Sequence, residues 1–520
     1  MKKKITVYEK GKKTVKNVNI IPFRYIFAVI ISVLEIASII GTVVLLAIYV
    51  PYFYTLVIAT IVLLVIGIIG SPDNPDYKIP WILVVILLPI IGMMLYFIFN
   101  ERRLPKKFLK KYHKHYNSLE LSDDENHKKL KEEDKLIASY ALELCKISKS
   151  HLYKNTELSY FKLGEEMFES ILIDLKNAKD FIFLEYFIIE EGLFWNSILN
   201  ILKEKAQNGV EVKVVYDDIG CMNTLKGNYY KTLKKFNIDC VLFSKLKAAA
   251  DGEFNNRSHR KMLIIDGKIA YTGGVNIADE YINKERRFGH WKDTGIKLVG
   301  EAVKEYTRLF LVDYYINVKK DVDLDYSKYY GNFGTKNESY VIPFGDGPNP
   351  IYTENVGKNV IINILNQAKD YVYITTPYLI TDNEVIKTIK NTALRGIDVR
   401  IITPHIPDKK MVFELTRSNY DILIQSGVKI YEYKPGFIHA KSYISDDIIG
   451  MIGTINLDYR SLTHHFENGV WIYNDQIIKE MKVDFIETIN QSILINDNPI
   501  KTSKLRKLFR SILKIFSPIF

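Results

Sequence analysis

His259 and Lys261 are followed at fixed offsets by Asp266, the pair Gly273-Gly274 and Asn276; His439, Lys441, Asp446, Gly453 and Asn456 repeat those offsets 180 residues later. One His-x-Lys pair reads as a polar strand end, but two in a single register mean duplication of a unit that carries chemistry. Side chains two apart on a strand share a face, so each His and its Lys can meet one ligand. A neutral imidazole can attack phosphorus, while an ammonium and an amide can hold phosphate oxygens. That set suits phosphoryl transfer without a metal; the glycine-rich phosphate loops of nucleotide enzymes are absent. Asp266-Gly267 and Asp446-Asp447 are also turn signals, so the two aspartates stand between a turn role and direct participation.

The elements around these residues alternate. Met262–Ile265 reads as a strand buried on both faces, turning into Ile269–Tyr271. Before it come a helix over Met167–Ala178, a strand over Phe181–Ile189, a helix over Asn196–Asn208 and a strand over Val210–Tyr216, punctuated by Gly192 and Gly209. The second half echoes this with strands at Tyr371–Thr376 and Ile397–Thr403. Two α/β halves are expected, 151–325 and 326–496, each with a mixed sheet and joined near Asp321–Lys336. Cys145, Cys221 and Cys240 form no close-spaced pair and suit buried, reduced positions. No His, Cys and carboxylate spacing calls for a metal, and no cofactor is expected.

The chain resembles the phospholipase D superfamily, whose two His-x-Lys-x4-Asp motifs form one site between two half-domains, and within it the bacterial cardiolipin synthases. The resemblance rests on both motifs, on Phe183–Phe187, Tyr216–Gly220, Gly273–Ile277 and Thr375–Tyr378, and on Gly453–Ser461. Ser258 departs from the Asn expected before the first His, and Tyr314 from the Trp expected after Asp313. The resemblance implies phosphatidyl transfer between two phosphatidylglycerol molecules through a phosphatidyl-histidine, giving cardiolipin and glycerol. His259 is then the nucleophile and His439 the acid/base, in an order that could be swapped. Lys261, Lys441, Asn276 and Asn456 hold the phosphate oxygens. A carboxylate behind each His fixes its tautomer; Glu467 fills that place for His439, and Asp293 is the candidate of the first half. Hydrolytic phospholipase D action and non-catalytic lipid binding are the alternatives.

Hydropathy and charge place this chemistry at a membrane. Residues 26–100 hold three apolar stretches, Ile26–Val50, Tyr52–Gly70 and Ile79–Phe99, each of crossing length. Basic flanks lie on both sides, 1–25 with net charge +7 and 101–115 with +6. Three full crossings would put these flanks on opposite sides, against the positive-inside preference. Either one stretch fails to cross, the Glu35-bearing first being the candidate, or one flank is translocated. A multi-pass cell-membrane protein with a cytoplasmic catalytic part is expected, preceded by a helical linker over 101–150. The tail 497–520 is basic and amphipathic, with Leu505, Leu508, Phe509, Ile512 and Phe516 at helical spacing, and reads as an interfacial helix on anionic lipid. Since residues 501–520 add +6 while the whole chain carries only +11, the rest is about eight units negative. Basic charge confined to membrane flanks argues for anionic lipid as partner and against nucleic acid.

Overall fold

In a computed structural model of the chain, residues 2–9, 12–19, 23–49, 53–71, 74–99, 106–116, 125–245, 256–318, 325–331, 333–498, 500 and 502–519 are described. The chain divides into two compact units, one built largely from Met1–Glu101 and the other from most of the remainder. In the first unit, strands β1 (Lys2–Glu9) and β2 (Lys12–Asn19) pair antiparallel ahead of helices α1 (Phe23–Tyr49), α2 (Phe53–Gly70), α3 (Pro75–Leu87) and α4 (Pro89–Phe99). At 1.5 Å per residue, α1 extends about 40 Å and α2 about 27 Å, against a hydrocarbon core of about 30 Å. Both are long and apolar enough to cross a membrane.

The third apolar stretch, whose crossing the sequence left open, is divided into two short helices. Proline cannot donate to the carbonyl four residues back, and its ring clashes there; α3 ends at Leu87 and α4 starts at Pro89. The chain then reverses. The rings of Trp81 and Tyr96 lie 5.6 Å apart, where fifteen residues of one straight helix would separate them by about 22 Å. Gly92 makes the close return possible, since a Cβ there would lie 2.2 Å from the Val84 carbonyl oxygen. The Glu35-bearing first stretch, by contrast, is one continuous helix.

The second unit opens with α5 (Lys106–Tyr116), α6 (Glu125–Glu133) and α7 (Lys135–Ser148). Part of the basic flank turns inward here: Lys111 is buried with its ammonium on the Val318 carbonyl, and Phe108 and Tyr112 pack on Phe466. The first half follows as β3 (Thr156–Phe161), α8 (Gly164–Asn177), β4 (Phe181–Tyr186), α9 (Leu193–Gln207), β5 (Glu211–Asp217), α10 (Tyr229–Lys234), β6 (Asp239–Phe243), β7 (Lys261–Ile265), β8 (Ile269–Gly273), β9 (His290–Lys292), β10 (Gly295–Gly300) and α11 (Val303–Asn317). Of the expected join, residues 321–324 and 332 lie outside the described residues. The second half runs β11 (Tyr340–Asp346), α12 (Val356–Gln367), β12 (Tyr371–Thr375), β13 (Leu379–Ile380), α13 (Asn383–Leu394), β14 (Asp398–Pro404), α14 (Lys410–Ser418), α15 (Tyr420–Ile424) and β15 (Lys429–Tyr433). It ends with β16 (Gly436–Ile438), β17 (Ser442–Ser445), β18 (Ile449–Gly453), β19 (Leu457–Asp458), α16 (Tyr459–Thr463), β20 (Glu467–Tyr473), α17 (Ile477–Asn490), β21 (Ser492–Leu494) and α18 (Lys504–Ile515).

The two sheets share one plan. The first has the order β3-β10-β8-β7-β4-β5-β6 and the second β11-β20-β18-β17-β12-β14-β15, with β21 added at its edge. In each, the three strands of the βα repeats are parallel and the strands after the His-x-Lys motif are antiparallel. The sheets and their covering helices contribute to one hydrophobic core.

Asp266 and Asp446 are turn residues. Both sit at positive φ, 53° and 56°, a conformation Asp tolerates better than most residues. Each carboxylate caps the loop that feeds the neighbouring parallel strand. Asp266 accepts from the N–H groups of Lys179, Asp180 and Phe181, at 2.8–2.9 Å. Asp446 accepts from those of Lys369, Asp370 and Tyr371, at 2.8–3.0 Å. They occupy the far ends of their strands, so direct participation in chemistry is set aside on geometric grounds. Asp446→Ala is therefore expected to cost about 1–3 kcal/mol of stability by orphaning backbone donors. A thermal melt should fall while the rate per folded molecule is kept; an intact melt with abolished turnover would reverse the assignment.

Candidate active site

The site is built by chain segments that cross between the halves. The His259 N–H donates to the Phe466 carbonyl at 2.8 Å, and Ser258 and Phe466 form a parallel bridge. Likewise β16 pairs parallel with β9, and the His439 N–H donates to the Lys292 carbonyl at 2.7 Å. Phe466 and Lys292 immediately precede Glu467 and Asp293, so each crossing delivers a carboxylate to the imidazole of the opposite half. His259 Nδ1 lies 3.0 and 2.9 Å from the two Glu467 oxygens; His439 Nδ1 lies 2.7 Å from Asp293 Oδ2. This corrects the expected pairing, in which Glu467 served His439 and Asp293 the first half. Sequence proximity favoured the wrong partner, because inter-half strand pairing sets the register.

The carboxylates are fitted by different means. Gly274 leaves room for Asp293: a Cβ there would stand 2.0 Å from its Oδ1. At the matching position Thr454 supplies a hydroxyl that donates to Glu467, and Ser461 donates to its other oxygen at 2.7 Å. With Nδ1–H turned to a carboxylate, the lone pair of each imidazole resides on Nε2. Burial is the main force lowering the His259 pKa to about 3 and that of His439 to about 4, against the raising effect of the carboxylates. Lys261 and Lys441, each donating to the carbonyl of its own motif His, are lowered by burial to about 7 and about 8. Both ammonium groups feel both carboxylates, and Lys261 also feels Lys441. An anion bound among them would relieve that repulsion. The arrangement offers two neutral imidazoles and two cations poised for an anionic phosphate.

The remaining expected residues divide. Asn276 accepts from the Ile188 N–H at 3.1 Å and donates to the Tyr281 hydroxyl at 2.8 Å, so most of its amide belongs to the wall beside His439. Asn456 donates to Asp458 and has a buried Oδ1 without a partner. Ser258, the departure from the expected Asn, donates to Glu185 at 2.6 Å. Strand alternation turns Arg260 away from His259 and Lys261. It is fully buried, pairs with Asp313 and reaches the second half at the Glu467 and Asp346 carbonyls, 3.0 and 3.2 Å away.

Sequence reasoning missed the residues two before each carboxylate. Trp291 packs 5.5 Å from the His439 ring and His465 5.6 Å from the His259 ring. His465 Nδ1 is 3.7 Å from Glu467 Oε1, and ligand atoms of His259, His465 and Glu467 lie within 4.8 Å of one another, close enough to hold a metal ion. Its place two residues before Glu467 was the available signal; its nearness to His259 is tertiary. The three cysteines are buried and none forms a disulfide.

A duplicated α/β unit with paired His-x-Lys strands and crossed carboxylates defines a phospholipase D-like architecture. The profile of the family described as cardiolipin synthase, PLD-like domain, matches residues 171–310 and 361–489, and that of a phospholipase D-nuclease N-terminal region matches 56–99. A Streptococcus mutans protein is 42% identical over 88% of this chain and 99% of its own length. A cardiolipin synthase of Staphylococcus aureus (strain Mu50) is 33% identical over 84% of this chain and 90% of its own. The crystal structure of a phosphatidylserine synthase from Haemophilus influenzae Rd KW20 shares the fold, with a TM-score of 0.57 at 15% identity, covering 74% of this chain and all of that one. The chain belongs to the cardiolipin synthase family of phospholipase D-like proteins.

The buried groups set a pH dependence. Neutral imidazoles are lost only as pH falls through about 4 and about 3, and the ammonium groups as pH rises through about 7 and about 8. Since kcat/KM reports groups of the free enzyme, it should decline as pH rises, through the proton that His439 must take up and through steps that Lys261→Arg and Lys441→Arg remove. An acid limb near neutrality would contradict buried, neutral imidazoles.

Proposed function

We propose that the chain is a phosphatidyltransferase that joins two phosphatidylglycerol molecules into cardiolipin and releases glycerol. The observation that carries this reading is the crossed pair of carboxylate-held imidazoles beside two buried lysines, together with membership of the cardiolipin synthase family. His259 Nε2 attacks phosphorus and the P–O bond to the glycerol headgroup breaks. His439, which takes a solvent proton onto Nε2 as the anionic phosphate binds and carries it as an imidazolium held by Asp293, gives that proton to the leaving alkoxide. A hydroxyl of the second phosphatidylglycerol then attacks the phosphatidyl-histidine. His439 takes its proton, the P–N bond breaks and cardiolipin leaves. Lys261, Lys441 and the amides of Asn276 and Asn456 stabilise the charge that develops on the phosphorus oxygens. Glu467 orients the nucleophile and Asp293 the acid/base, the reverse of the partnership expected from sequence.

The same reading places the protein in the cell membrane with two crossings, α1 and α2. The α3–α4 hairpin spans about 20 and about 16 Å per arm, each arm short of a bilayer. Two crossings return the chain to the side it started from, so both basic flanks and the catalytic unit lie in the cytoplasm, in accord with the positive-inside preference.

Transfer from labelled phosphatidylglycerol is expected to give cardiolipin and glycerol; phosphatidic acid and glycerol would mean water is the acceptor. Glu467→Gln and Asp293→Asn should each slow turnover tenfold or more, about 1.4 kcal/mol of barrier per tenfold, with thermal midpoints little changed. They should differ in the initial burst from a phosphatidyl donor whose leaving group is a nitrophenol, a first step that needs no acid: Asp293→Asn recovers the burst rate and Glu467→Gln does not, while steady turnover stays slow in both. Recovery of Glu467→Gln instead would exchange the roles of His259 and His439.

A further inference from the structure

Helix α18 turns Arg506 and Arg510 to the protein and an apolar stripe outward. Arg506 and Arg510 both reach Glu414 of α14, with Nε distances of 3.0 and 2.8 Å, and their hydrogen bonds hold its carboxyl down at about 2. Leu513, on that inner side, is buried. Leu505, Leu508, Phe509 and Ile512 are 77%, 59%, 46% and 49% exposed, and their i, i+3, i+4, i+7 spacing makes one stripe. A helix packed on a water-soluble surface does the reverse. The exposed side chains of Lys504 and Lys507 border the stripe, and Met411 of α14 adds a further exposed apolar side chain on the helix beneath. An apolar stripe edged by lysines is complementary to a layer of anionic headgroups over acyl chains, and not to water or to an acidic protein surface alone.

The segment is also tied to the site. The 3-10 turn Ser517–Ile519 packs on α16. From α16, Ser461 accepts from the Asn456 N–H at 2.8 Å and donates to Glu467 at 2.7 Å, and Glu467 holds His259. We propose that α18 is a docking surface for an anionic bilayer, seated at the headgroup level so that the α16 flank of the site meets its lipid substrate there. Docking stands by itself; only its consequence for rate rests on the phosphatidyltransferase reading.

The test uses the full chain reconstituted in vesicles, with Leu508→Cys carrying an environment-sensitive fluorophore; the native cysteines are buried. In phosphatidylglycerol vesicles the emission should shift to the blue and be quenched by spin labels on lipid acyl chains, with both effects weaker in phosphatidylcholine. A label open to aqueous iodide and untouched by lipid spin labels overturns the proposal, as does a blue shift without lipid quenching, which would mean cover by protein. Equal depth in both lipids removes the role of charge. Leu508→Glu with Phe509→Glu should lower the rate on bilayer phosphatidylglycerol several-fold while sparing short-chain phosphatidylglycerol dispersed as monomers. Unchanged rates on both substrates would separate docking from the site and overturn the second half of the proposal.

Discussion

Burying a carboxylate is tolerable only where a partner and hydrogen bonds replace its water. Glu467 and Asp293 are both fully buried, and each finds its imidazole in the other half of the molecule. A half standing alone would keep a desolvated carboxylate without its imidazole and a His without the group that fixes its tautomer. The chemistry of the site and the cohesion of the two halves thus depend on the same contacts. Arg260 adds to this from the opposite face of its strand, linking Asp313 of the first half to carbonyls of the second.

The duplication is close in backbone and looser in side chains. Both halves use one strand order, the same aspartate cap at the motif turn, and the same backbone bond from each His to the residue ahead of its carboxylate. The walls differ. Around His439 stand Trp291, Tyr281 and Phe437, within 6 Å between ring centres. Around His259 stand Phe187 and His465. Two identical imidazoles in unlike surroundings can take unlike roles, as a reaction with separate nucleophile and proton carrier requires.

The elements proposed to meet lipid are of opposite construction. In α1 and α2 nearly every position is apolar, and length decides what they can do. In α3, α4 and α18 arrangement decides: the first two are halved by Pro89 and folded together, and the last turns its arginines inward to leave its leucines outside.

The sequence alone determined the α/β class, the duplication and the spacing that marks the two His-Lys pairs. Those follow from local rules, namely the period of apolar residues, the turn preference of Asp-Gly, and motif offsets that survive any rigid repetition. The two readings of Asp266 and Asp446 were visible as well, because a turn signal is local. Tertiary structure decided what depends on distant partners. Glu467 lies nearer His439 in sequence and binds His259, since β-pairing between halves fixes the register of the carboxylate strands. His465 entered the site by the same crossing. Hydropathy left the crossing of Ile79–Phe99 open; Pro89 is visible in the chain as a point of bending, but that the chain reverses there, with Gly92 allowing the return, is tertiary. The amphipathic pattern of α18 was legible in one dimension; which side faces the protein was not, because that depended on Glu414 standing across from two arginines nearly a hundred residues away.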